Sequence, residues 1–192
     1  MENGEARIVG TDRVISFADI ASAAKNPEDL KGEGEFKQAE ATYPNGTHIC
    51  EIEIDPETGA TEIIRYTVVD DFGATVNPIL LAGQVHGGIT QSIGQVLTEH
   101  VVYDDEGQLL TASFMDYNVP KADSVPGFDF QTRNVPSTTN ALGIKGAGEA
   151  GTIGATPAVM NAVIDALHRE YGITEMDMPV TPSRLWQVIQ NR

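Results

Sequence analysis

The sequence predicts an α+β (mixed α/β) fold in which antiparallel hairpins pack with a long glycine- and glutamine-rich helix and two C-terminal helices. Three observations lead there. "THICEIEID" alternates with the two-residue period of a strand, Leu81 to Leu97 repeats apolar residues every four positions, and Thr-Pro pairs open two further helical stretches at 156 and 181.

Taken in order, "SFADIASAAKN" places Ser16 three residues before Asp19, which predicts a capped short helix with Ile20 and Ala24 inward. "NPEDLKGEGEFKQ" then reads as a polar connector, so residues 1–40 are expected to be a peripheral helix and linker, and 41–192 the main domain. His48, Cys50, Ile52 and Ile54 share the inward face of the first strand. "PETG" supplies a turn, and "ATEIIRYTVVDD" a second strand, completing a hairpin. Asn77 and Pro78 are a cap and first-turn pair for a helix to about Glu99. Its stripe is Leu81, Val85, Ile89, Ile93 and Leu97, and beside it runs Gln84, Gly87, Gly88, Gln91, Gly94 and Gln95. Interior glycines cost a helix about 1 kcal/mol each relative to alanine, so that strip calls for a reason.

Further on, "VVYDDEGQLLTASFMDY" predicts a second hairpin around Asp105–Gly107, and a proline-punctuated excursion follows with one strand near Phe128–Arg133. Thr156 is expected to cap a helix starting at Pro157, with Val159, Ala162, Val163, Ala166 and Leu167 inward and Gly172 as its stop. Thr181 and Pro182 start the last helix, through Trp186 and Ile189.

Composition excludes several classes. A net charge of −16 argues against a nucleic-acid groove or an anionic membrane surface. No apolar run reaches the length of a membrane span and the N-terminal residues lack the pattern of a signal peptide, which leads to the expectation of a cytoplasmic protein. The single cysteine, Cys50, reads as a buried structural thiol. His48, His86, His100 and His168 show no metal-ligand spacing, so any metal is held by other groups.

"GIKGAGEAGTIG", residues 143–154, sets five glycines around Lys145 and Glu149. Glycine concentrates where a chain turns sharply or a backbone approaches a ligand closely. Gly146, Gly148 and Gly151 satisfy GxGxxG, but "STTNALGIK" is a poor buried strand and too little chain follows for a doubly wound sheet. Glu149 is either a solvated surface acid or, between two apolar glycine-rich flanks, a poorly hydrated carboxylate suited to proton transfer.

"GQVHGGITQSIGQVLTEHVVYDDEGQLLTASFMDYNVP" and "GIKGAGEAGTIGATPAVMNAVIDAL" together resemble the C-terminal part of the molybdenum-binding large subunit of the xanthine dehydrogenase family, nearest its aerobic carbon monoxide dehydrogenase-like branch. The likeness runs from about Ala41 to the C-terminus and is looser over residues 1–40. It implies that Glu149 matches the catalytic glutamate beside the molybdenum, which takes a proton from a metal-bound hydroxyl, and that Gln84 matches a glutamine bonded to the pterin. Lys145, Gly146 and Gly148 would form backbone wall near the metal, and Gly87, Gly88 and Gln91 the cofactor-facing strip of the helix. No side chain would ligate molybdenum directly.

The implied cofactor is molybdenum-molybdopterin in its cytosine dinucleotide form, with iron–sulfur clusters and FAD on partner subunits. The implied reaction is water-dependent oxidative hydroxylation of an aldehyde, N-heterocycle or similar small molecule. Implied partners are the remainder of the molybdenum subunit, an iron–sulfur subunit and a FAD subunit, assembled as a dimer of heteromers. The alternatives are a non-catalytic assembly or binding module, or part of a carbon monoxide dehydrogenase large chain. "GEAGTIGA" is closer to the broader hydroxylase branch than to the carbon monoxide oxidisers, whose cysteine-bearing copper loop lies in an earlier part of the family's chain, so the resemblance leaves the substrate open. The family's large subunit is several times longer, so this chain is expected to be an excised domain or a split-gene product, inactive alone and carrying exposed apolar patches.

Overall fold

The computed structural model describes residues 4–38 and 40–191. The chain divides after Gln38 into two compact units.

In the first unit β1 (Glu5–Arg7) pairs antiparallel with β2 (Val14–Ser16), and α1 (Phe17–Ala23) follows. The Asp19 N–H donates to Ser16 Oγ at 3.0 Å, while the Ser16 hydroxyl donates to the Asp19 carboxylate at 2.6 Å. That is the reciprocal cap the sequence predicts. The connector holds one 3-10 turn, Pro27–Leu30, opened by Asn26 Oδ1 accepting from the Glu28 N–H. The β1–β2 ribbon escapes sequence reading because a three-residue strand is too short to show a period.

The second unit holds the core. β3 (Asn45–Ile54) and β4 (Thr61–Asp71) form the expected hairpin, with a bulge that leaves Ile64 unopposed between the Glu51–Arg65 and Ile52–Ile63 pairs. The tight turn is made by Asp55, whose carboxylate accepts from the Glu57 N–H and the Thr58 hydroxyl. β5 (Phe128–Thr132) adds to β4 in parallel, giving a sheet ordered β3-β4-β5. The inward face of the hairpin carries His48 and Cys50, as the alternation predicts, with Tyr66, Val68 and Asp70 opposite them. Burial pushes the Cys50 thiol up to about 11, with the Glu51 charge adding, which fits a packed thiol and not a nucleophile.

α2 (Pro78–Leu97) is capped by Asn77, whose Oδ1 accepts from the Ile79 and Leu80 N–H groups. Leu81, Val85, Ile89, Ile93, Val96 and Leu97 are all buried. Each such side chain contributes about 1.5–3 kcal/mol on leaving water, and together they fix the helix against α3 and the sheet. α4 (Pro182–Gln190) closes the core with Leu185 and Ile189. It is seated on the β3–β4 turn at Gly59, where a side chain would run into Pro182 O and Trp186 N.

Two expectations are corrected. α3 runs Ala150–Tyr171, so Pro157 lies inside the helix and Thr156 is not its cap. Proline removes one helical hydrogen bond there, and tertiary packing of the glycine-rich turn before it outweighs that loss. The second hairpin reduces to one isolated bridge, Tyr103 with Leu109, because Asp104 Oδ1 collects the Glu106 and Gln108 N–H groups into a local turn. Gly172, at φ 71°, ends α3 as the sequence predicts. Among the described residues no helix is long and apolar enough to cross a membrane.

Candidate functional site

The glycine loop is tethered before it reaches Glu149. Gly73 and Ile144 form an isolated antiparallel bridge, the Lys145 N–H donates to Phe72 O at 2.9 Å, and Asn140 bonds Ile144 through both its amide N–H and its carbonyl. Gly73 (φ 64°) and Gly143 (φ 67°) make the close approach possible. The side chain of Lys145 turns back to Asp71, Nζ to Oδ2 at 2.6 Å. Asp71 Oδ1 also accepts from the Gly73 and Val135 N–H groups at 2.8 and 2.9 Å. Burial works to raise the Asp71 carboxyl, but the Lys145 hydrogen bond and the two N–H donors outweigh it and hold it at about 2.

α3 then crosses α2 at a pair of glycines. A side chain at Gly88 would stand 2.8 Å from Thr152 N, and one at Gly151 would meet Val85 O at 2.5 Å. Around the crossing Ser92 donates to Thr152 O at 2.9 Å and Thr156 to Ser92 Oγ at 3.0 Å. The N-terminus of α3, with Glu149 as its cap residue, is thereby seated on the Val85–Ile89 turn of α2.

Glu149 lines a half-open pocket of about 470 Å³ between that N-terminus and the start of the β3–β4 hairpin. Its rim includes Tyr43, Gly146 and Gly148; its floor is His48 and Asp70. The His48 and Asp70 side chains are only 5% and 3% exposed, and their closest atoms, Nε2 and Oδ1, lie 3.5 Å apart, at the outer limit of a hydrogen bond. His48 Nδ1 is 2.7 Å from the Tyr66 hydroxyl. Burial holds the Tyr66 phenol above its ordinary range, with the charges of Cys50 and Asp70 adding.

The residues singled out in the sequence divide into groups. Glu149, Gly146 and Gly148 share the pocket; Lys145 meets it only through the loop it anchors. Gln84, Gly87 and Gln91 sit on the exposed strip of α2 and do not line that pocket, and nothing lies within 4 Å of a Cβ built at Gly87. Gly88 answers to helix packing. The poorly hydrated carboxylate expected at 149 is not what this chain shows: Glu149 is exposed, because the flanking glycines bring no side chains to cover it. The His48–Tyr66–Asp70 floor was missed. A histidine at an inward position of an otherwise apolar strand face was the available signal. Among the described residues no group of three His, Cys, Asp or Glu could hold a metal ion.

The structure thus holds a half-open pocket with one acid at a helix N-terminus, and apart from it an exposed strip of α2 carrying Gln84, Gly87 and Gln91. Residues 1–126 match the molybdopterin cofactor-binding domain, and the chain belongs to that family. It is 37% identical to the nicotine 6-hydroxylase large subunit of Paenarthrobacter nicotinovorans over 96% of this chain and 24% of that protein. It is 34% identical to the carbon monoxide dehydrogenase large chain of Afipia carboxidovorans over 93% of this chain and 22% of the other. Among solved structures, quinoline 2-oxidoreductase of Pseudomonas putida 86 superposes with a TM-score of 0.89 at 35% identity, covering 100% of this chain and 26% of that one. The chain thus spans about a quarter of the length of these relatives.

Proposed function

We propose that this chain forms one wall of the molybdopterin site in a molybdenum hydroxylase and contributes Glu149 as the base of the reaction. The residues fit such a group as a wall. The α2 strip offers the Gln84 and Gln91 amides on either side of open space at Gly83 and Gly87, room for a ring system that a side chain would block. Gly146 and Gly148 leave the loop backbone equally uncovered. When bound, the cofactor supplies insertion of an oxygen from water and takes up two electrons. Glu149 accepts the proton released on the pocket side, Gln84 and Gln91 hold the pterin by their amides, and Lys145 keeps the loop in place through Asp71. The cofactor that these residues would hold is the cytosine dinucleotide form, and the partners would be iron–sulfur and FAD subunits in a dimer of heteromers.

The observation that supports this most is the seating of the α3 N-terminus on the Val85–Ile89 turn, the stretch of α2 that also bears the glutamine and glycine strip. Glu149 is exposed in this chain, so the reading requires the rest of the large subunit to cover it. Val76, Ile79 and Leu80, at 82%, 83% and 68% exposure, mark the same end of α2 as a surface awaiting that cover. Relatives named for nicotine and quinoline support an N-heterocyclic substrate, and the carbon monoxide dehydrogenase relative supports the second reading.

The test is Glu149→Gln in the assembled enzyme. Turnover should fall by about 10²–10⁴-fold with molybdenum and pterin content unchanged. Undiminished turnover at full cofactor content ends the assignment.

A further inference from the structure

The floor of the pocket has a use that the base alone does not explain. Asp70 is buried, and its Oδ2 has no hydrogen-bond partner. A buried carboxylate oxygen left unpaired carries a desolvation cost that folding does not recover. The fold makes room for this arrangement at two places. Gly46 stands opposite Asp70 in the hairpin register, where any Cβ would collide with the Asp70 carboxylate. Gly154 lies over His48, where a Cβ would come within 2.5 Å of the imidazole. Among the described residues no lysine or arginine forms an ion pair with Asp70, and His48 is the group beside it that can carry positive charge.

We infer that His48 and Asp70 are a proton-accepting pair that relieves Glu149 after each turnover, an inference that rests on Glu149 being the base. His48 on β3 is faced from β4 by Tyr66 and Asp70, with Cys50 next along its own strand face and Glu149 at the head of α3 in the same pocket. Neutral imidazole has one ring nitrogen without hydrogen. The O–H bond of protonated Glu149 breaks, the proton crosses by water, for which a cavity of about 470 Å³ has ample space, and an N–H bond forms on His48. Glu149 returns to carboxylate and the total charge of the pocket is unchanged. The resulting imidazolium finds an oxygen on both sides, Tyr66 at Nδ1 and Asp70 at Nε2. It then passes the proton on to water.

The sign of the pH effect follows. Asp70 is the carboxylate nearest the ring, and its removal takes a negative charge away from Nε2. Asp70→Asn should therefore weaken His48 as a proton acceptor and move the acid limb of the kcat profile down, with KM unchanged. His48→Gln should remove that limb and lower kcat on the order of tenfold. An independent readout, needing no turnover, is hydrogen–deuterium exchange at the His48 imidazole C2 carbon, followed by mass spectrometry in the assembled subunit. Its pH midpoint should fall in Asp70→Asn by the same amount.

An unchanged midpoint or an unchanged acid limb in Asp70→Asn, at equal metal and pterin content, overturns the pair. Should His48→Gln fail to assemble, the isosteric Asp70→Asn still decides. Glu149→Gln separates the two claims. Lost turnover there with normal pH profiles in the His48 and Asp70 variants leaves the base standing and removes the relay. Undiminished turnover removes the base, and with it the relay.

Discussion

The end of β4 presents two neighbouring carboxylates to opposite faces of one sheet, and the molecule treats them in opposite ways. Asp71 is satisfied at both oxygens, by Lys145 and by two backbone N–H groups, and those bonds tie β4 to the loops at 135 and 145. Asp70 faces inward among Tyr66 and Val68 with one oxygen unpartnered and the His48 imidazole beside the other. A buried charge kept for architecture is neutralised completely; one left partly unsatisfied, with glycines clearing space around it, is kept for what it can take up. The two sides of the strand therefore separate a tether from a proton site.

The largest effect expected is on the tether. Lys145→Met leaves Asp71 buried without its cation and should cost about 3 kcal/mol of stability, read from the urea midpoint of Trp186 fluorescence. A loss below about 1 kcal/mol would show the pair to be no better than a surface ion pair and would blur the contrast.

Acid should reveal the same asymmetry. Asp71 is held at about 2, below its unfolded value near 4, so the stability it contributes is complete above about pH 4 and is lost as pH falls toward 2. Wild-type stability should decline across that window, and Asp71→Asn should decline less steeply. Parallel curves would mean that Asp71 does not carry the acid sensitivity.

What the sequence made legible follows the same division. The α2 stripe, the β3–β4 hairpin and the Gly172 stop were readable because each rests on a period or a cap that local residues alone produce. The start of α3 was not, because Thr156–Pro157 imitates a helix opening while Gly151 and Gly154 extend the helix upstream only by fitting against Val85 and His48. Position 149 was legible as a residue, from its glycine surroundings, but not in its hydration, which depends on what covers it. The strip from Gln84 to Gln91 reads in sequence as a single feature, yet Gly88 is fixed by Thr152 and Gly87 faces open space. The pocket floor joins residue 48 to residues 66 and 70 across a hairpin register, which no one-dimensional spacing displays.

The smallest stability change is the one that sharpens the comparison most. Asp70→Asn keeps the side chain's shape and removes a charge that the fold does not fully satisfy. The desolvation cost of the carboxylate disappears along with its attraction to His48, so the two changes offset and the urea midpoint should move by less than about 1 kcal/mol. Asp71→Asn, which strands the Lys145 ammonium at 12% exposure, should cost clearly more. If the two substitutions are equally damaging, Asp70 belongs to the architecture as Asp71 does, and the orphaned oxygen has no functional meaning. If Asp70→Asn leaves stability almost untouched while moving the acid limb of turnover, the same residue is dispensable to the fold and engaged in the chemistry, which no purely structural role can reproduce.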